Sequence, residues 1–238
     1  MEYSKIYKPM IAAFNEDIKN NGVNNYISQL IIISIKSLLP SEQLEKIPID
    51  YKRYNEEIKL WKNYRKGDNP SLLNLFNMKA DIYWEEKDPS LYMRILPIIM
   101  VNKDFLNIKD EIIKNTLFTT GNIESLMEAI LIGKLIFLLM EKEENIIEKL
   151  KGEIINLSQI DYIEEYGQYY KFPINEYGGN FKIAFEKNKI SALNILNNSY
   201  SKDFQVLGDC LIALNSFENE KTYMGRIIKE ISNGEVKE

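Results

Sequence analysis

Apolar residues recur along most of this chain at the three- and four-residue intervals of a helix. Ile11, Phe14 and Ile18 do so near the start. In YNEEIKLWKNYRKG, Tyr54, Ile58 and Trp61 mark one face, and Gly67 is a natural terminator. SLLNLFNMKADIYWEEKD reads as one further helix, ended by Pro89. Pro97, inside MRILPIIMVN, either opens a helix at its first turn or kinks one. IKDEIIKNTLFTT is helical. A long apolar helix follows Gly121, capped by Asn122 and running towards Glu144, and a third spans from there to near Ile160. Between Glu165 and Lys182 the periodicity stops, and the Tyr- and Gly-rich EYGQYYKFPINEYGGNFK reads as loop. Helical segments resume in FKIAFEKN, ISALNILNNS, DFQVLGDCLIALNSF and TYMGRIIKEIS. LIIISI is β-branched enough for a strand, but its continuation through KSLL favours a buried helix. The pattern predicts an all-α, single-domain multi-helix bundle over residues 1–238.

Charge narrows the partners. Lys and Arg total 30 against 35 Asp and Glu, a net charge of -5. That acidity argues against sequence-independent nucleic-acid binding, which needs a basic surface. The start, MEYSKIYKPMIAAFNEDIKN, has mixed charge and no long apolar run, so a cytoplasmic location is expected. IESLMEAILIGKLIFLLM is long enough for a short membrane span, but Glu124, Glu128 and Lys134 make a central buried helix the better reading.

Composition also restricts the chemistry. The chain has no His, so no imidazole can serve as base, proton shuttle or metal ligand. The single cysteine, Cys210, lies in an apolar run and reads as a small core residue. Acid–base or metal chemistry would therefore rest mainly on carboxylates. Against that background, Asn24 and Asn25 stand out in GVNNYISQLIIISIKSLL, two amides at the head of an apolar helix. They read as helix caps, as former metal ligands that have lost their charge, or as both.

Four segments, in order, resemble the ADP-ribosylglycohydrolase family. GVNNYISQLIIISIKSLL and the later DYKRYNEEIKLWKNYRKG are similar to the family's opening helix and its Trp-then-Gly helix. DPSLYMRILPI is similar to its Met-Arg segment, through Met93, Arg94 and Pro97. TLFTTGNIESLMEAILIGKLIFLL is similar to its Thr-His turn and long helix. FQVLGDCLIALNSFENEKTYMGRIIKEISNGEVKE is similar to its closing helices. The resemblance covers most of the chain. It implies an all-α fold and hydrolysis of ADP-ribosyl bonds at a pair of Mg²⁺ or Mn²⁺ ions.

The departures fall on the chemistry. The family's two front aspartates correspond to Asn24 and Asn25, and its flanking threonines to Val23 and Tyr26. Thr119 matches the family's Thr, and Thr120 stands in place of its His. Glu235 and Lys237 occupy positions of the rear aspartates. Hard cations prefer carboxylate oxygens, and Asn brings no charge. No metal, no cofactor and no catalytic residue is therefore expected. The remnant cleft would comprise Asn24, Asn25, Met93, Arg94, Thr119, Thr120 and Glu235. Arg94 can contact a phosphate or make a structural ion pair. In the Tyr/Gly loop, Tyr166, Tyr169, Tyr170, Phe172 and Tyr177 can stack a base, meet a protein partner or pack on their own domain.

Three functions follow. The first is a catalytically silent binder of a protein partner or of an ADP-ribosyl or nucleotide ligand. The second is an active ADP-ribosyl hydrolase rebuilt on carboxylates such as Glu16, Asp17 or Glu235, with Asp209 a further candidate. The third is an immunity- or inhibitor-type interaction protein.

Overall fold

Asn25 ends an extended approach and starts a helix, its side-chain oxygen accepting the Ile27 N–H at 2.9 Å. The same device recurs along the chain. Asp50, Asn69, Asp104, Asn122, Asp161 and Asn180 each turn a carboxylate or amide oxygen onto a free N–H of the first turn. The computed structural model describes residues 3–39, 46–199, 201–215 and 221–232. Among these the elements are α1 (Tyr3–Asn21), α2 (Tyr26–Lys36), α3 (Tyr51–Trp61), α4 (Pro70–Asn77), α5 (Ala80–Glu85), α6 (Leu91–Arg94) and α7 (Leu96–Val101). The chain continues through α8 (Phe105–Thr119), α9 (Ile123–Met140), α10 (Ile146–Leu157), α11 (Tyr162–Tyr166), α12 (Phe181–Leu196), α13 (Gln205–Asn215) and α14 (Tyr223–Ser232). No strand occurs among the described residues. The one β-type contact is an isolated bridge between Leu38 and Ile49. The all-α reading holds, LIIISI included.

The centre is α9. It is apolar on nearly every side, so it has no face to give to water and is buried by its neighbours. Helices α6, α7, α8, α10, α12, α13 and α14 all pack against it. Its charged residues are paired. Glu124 accepts the Phe204 N–H at 2.7 Å and Glu128 the Leu207 N–H at 2.8 Å, so two carboxylates meet the free donors at the head of α13. Lys87 pairs with Glu124 at 2.6 Å. Lys134 lies 4.0 Å above the Phe105 ring. No helix among the described residues is long and apolar enough to cross a membrane.

Local structure departs from the periodic reading in four places. On α1 the buried face is Ala12, Ala13, Glu16 and Asp17, while Ile11 and Ile18 are exposed and Phe14 is only half-buried. Small residues let α1 approach α14 and α2 closely, and packing overrides the larger apolar stripe. The segment after Pro70 breaks into α4 and α5. Met78 takes a left-handed backbone at φ 51°, and the Asn74 amide bridges the break by bonding both Lys79 N–H and Lys79 C=O at 2.8 Å. FKIAFEKN and ISALNILNNS join as the single helix α12. The Tyr/Gly stretch is not all loop, since α11 and two 3₁₀ turns, Gly167–Tyr169 and Ile174–Glu176, lie in or beside it. Pro97 sits in the first turn of α7, where its missing N–H costs nothing. Cys210 is fully buried, and burial pushes its thiol pKa up.

Candidate functional site

The head of α2 is built on one buried carboxylate from the last turns of α1. Asp17 Oδ2 accepts the Asn25 N–H at 2.8 Å, the Ser28 N–H at 3.3 Å and the Ser28 hydroxyl at 2.5 Å. Its Oδ1 accepts the Asn21 amide at 2.9 Å, and that amide also reaches the Tyr223 hydroxyl of α14 at 3.0 Å. Asn25 is half-buried and committed to its cap, and Asn24 beside it is exposed. The neighbouring Glu16 is bound by Arg226 and by Lys19 at 3.2 Å. Burial alone would raise the Glu16 pKa, but the Arg226 hydrogen bond and charge outweigh it and hold the carboxyl below its usual range.

Tyr26 closes the next position. Its N–H donates to the Lys66 carbonyl at 2.7 Å, and its ring lies against Gly67. Gly67 sits at φ +79°, and a Cβ there would fall 2.9 Å from Tyr26 Cδ1, so both backbone and space require glycine. Burial, then the nearby Asp88 charge, push the Tyr26 phenol pKa up.

Beyond Tyr26 lies Arg94, fully buried on α6, a short helix that packs against α2 and α9. Its Nε donates to Asn115 Oδ1 at 2.7 Å. Nη1 donates to Asp88 and, at 3.4 Å, to Ser90 Oγ. Nη2 donates to the Asn115 carbonyl at 3.0 Å and to the Thr119 hydroxyl. A guanidinium has five N–H donors. All five are spent inside the protein. Asp88 in turn accepts from Ser90 N–H at 3.0 Å, Ser90 Oγ at 2.5 Å and the Asn69 amide at 3.2 Å. Burial works to raise the Asp88 pKa, but Arg94 outweighs it and holds the carboxyl below its ordinary value.

The remaining sequence candidates fall as follows. Met93 is buried in the core beside Arg94. Thr120 is buried, its hydroxyl bonding the Tyr83 and Glu86 carbonyls at 3.1 and 2.9 Å and accepting the Asn122 N–H at 3.0 Å. Asp209 holds the approach to α14, accepting from Lys221 N–H at 3.0 Å, Thr222 N–H at 2.8 Å and the Thr222 hydroxyl, which itself accepts the Gly225 N–H of the first turn. Glu235, with Asn233 and Lys237, lies outside the described residues. The structure thus gathers Arg94 and Thr119 into one cluster, while Asn25 is held by Asp17 at the head of α2. Sequence reasoning missed Asp88 and Asn115, which complete the cluster. Asp88 stands six residues before Arg94, which is a weak signal, and nothing in the sequence marks Asn115.

The loop aromatics turn towards the body. Tyr166 is buried and its hydroxyl donates to Asp110 at 3.1 Å. Tyr170 lies 5.4 Å from Trp84 and Phe172 5.4 Å from Tyr83. Tyr177 lies 5.6 Å from both Trp84 and Phe181. Tyr169 lies under the Lys114 ammonium, which is 5.2 Å from its ring centre. Compared with family models, curated proteins and solved structures, the chain matches none.

Proposed function

We propose that this chain is a catalytically silent, ADP-ribosylglycohydrolase-like protein that acts by binding an ADP-ribosyl ligand or a protein partner. One observation carries the reading. At the head of α2, Asn25 Oδ1 is engaged in capping its helix and the Asp17 carboxylate takes four donors, while the exposed Asn24 brings only a neutral amide. A pair of divalent ions needs several free carboxylate oxygens to balance four positive charges. This donor set does not suit such a pair. The nearby carboxylates Glu16 and Asp88 are themselves held by Arg226 and Arg94.

The reading is tested by incubating the protein with ADP-ribosylated acceptors, with Mg²⁺, with Mn²⁺ and with neither. No release of ADP-ribose is expected in any arm. Metal-dependent release would overturn it.

A further inference from the structure

Away from the α2 cap, a cavity of about 420 Å³ opens between the start of α3, the later turns of α8 and the 3₁₀ turn at Gly167–Tyr169. Its size is that of a small-molecule site. Its walls are the rings of Tyr51, Phe118 and Tyr169. The rings stand close together, Tyr51 to Phe118 at 6.1 Å and Tyr51 to Tyr169 at 6.5 Å between centres.

The charge of this lining is out of keeping with the chain. Lys52, Lys114 and Lys171 line it and no Asp or Glu does, in a protein of net charge -5. Lys114 is neutralised from behind by Asp110 at 2.8 Å and Glu111 at 3.6 Å. Burial works to lower its pKa, but Asp110 outweighs this and holds it above the ordinary value. Among the described residues Lys52 and Lys171 have no such carboxylate. Lys171 instead lies 4.1 Å from the Phe118 ring centre, and burial pushes its pKa down, as expected for a cation lacking a counter-charge.

The frame is set before any ligand arrives. The Lys171 N–H donates to the Tyr83 hydroxyl at 3.2 Å, and that hydroxyl donates to the Leu117 carbonyl at 2.8 Å, tying the loop to α8. Tyr170, also on the lining, carries a buried hydroxyl with no hydrogen-bond partner among the described residues. Aromatic faces bind planar rings, and unpaired ammonium groups bind compact anions such as phosphate.

We propose that this cavity binds a small aromatic compound carrying a single phosphate, its ring laid against the half-exposed Tyr51 and Tyr169 and its phosphate on Lys52 and Lys171. The site does not rest on the family reading, since none of Asn24, Asn25, Met93, Arg94, Thr119 or Thr120 lines it.

Titration of the full chain by calorimetry and by NMR tests it. The probes are phenyl phosphate and adenosine 5′-monophosphate, with inorganic phosphate, phenol and adenosine as half-ligands. At least one of the two phosphorylated probes is expected to bind more tightly than its halves. The Lys52→Gln/Lys171→Gln double variant should bind it about tenfold more weakly, and Tyr169→Leu should weaken it too. Both lysines are exposed enough for the double variant to fold, which circular dichroism checks. Unchanged affinity in the double variant, or no binding of either phosphorylated probe at millimolar concentration, would overturn the proposal. The hydrolysis assay is indifferent to these variants, so the two readings fail separately.

Discussion

Arg94 and Lys171 are both cations in contact with the buried body of this protein, and they teach opposite lessons. Around Arg94 every donor has an internal acceptor, and its one carboxylate partner, Asp88, is equally buried. A charge so completely answered has nothing left for a ligand; its work is to lock α6 to α8. Lys171 has a ring beneath it and no carboxylate among the described residues. It retains its capacity to bind an anion. Arg94 is fully buried and fully answered, whereas Lys171 is exposed and faces no carboxylate among the described residues; in the proposed site it is the second kind of cation that meets a ligand.

The contrast can be broken most sharply at Arg94. Arg94→Ala strands the Asp88 carboxylate in the core and should cost about 3–5 kcal/mol, read by urea or thermal unfolding. A loss below about 1 kcal/mol, within the scatter of exposed pairs, would mean that the cluster does not hold the fold.

A smaller effect separates the two regions by pH. The Asp88 pKa is lowered in the folded protein, so its stabilising contribution is complete above the ordinary aspartate value. It is lost as pH falls through that value, about 4, towards the folded one. The melting temperature of the wild type should therefore drop more between pH 5 and pH 3 than that of Asp88→Asn, which starts lower at neutral pH. Parallel curves would count against the ion pair.

Smallest of all should be the stability change in Lys52→Gln/Lys171→Gln, within about 0.5 kcal/mol by chemical denaturation, as for surface sites outside a network. A drop comparable with that of Arg94→Ala would make the cavity lysines structural as well.

How much of this could be read from the chain differs by feature. The caps at Asn25 and Asn122 are local, each a side chain answering an N–H two or three residues on, and both were legible in sequence; Asp50 makes the same cap and was not picked out. The central burial of α9 was legible because no side of it is polar enough for water. The buried face of α1 was not. Ala12 and Ala13 carry less apolar surface than Ile11 and Ile18, and only the close approach of neighbouring helices gives them the inside. Of the candidate site, the burial of Arg94 in an ion pair was one of two open readings, and Asp88 as its partner was not foreseen.

The sequence by itself determined that this is a helical protein without imidazole chemistry, with Asn or Asp ahead of many of its helices. Periodicity, composition and capping are short-range properties, and a single chain displays them directly. Tertiary structure alone decided that Arg94, Asp88, Asn115 and Thr119 meet, and that Lys52, Lys114 and Lys171 converge on one aromatic cavity. Those residues come from different elements, brought together by packing and not by local periodicity. Which charges are answered inside and which are left to face a cavity is fixed only when the helices pack.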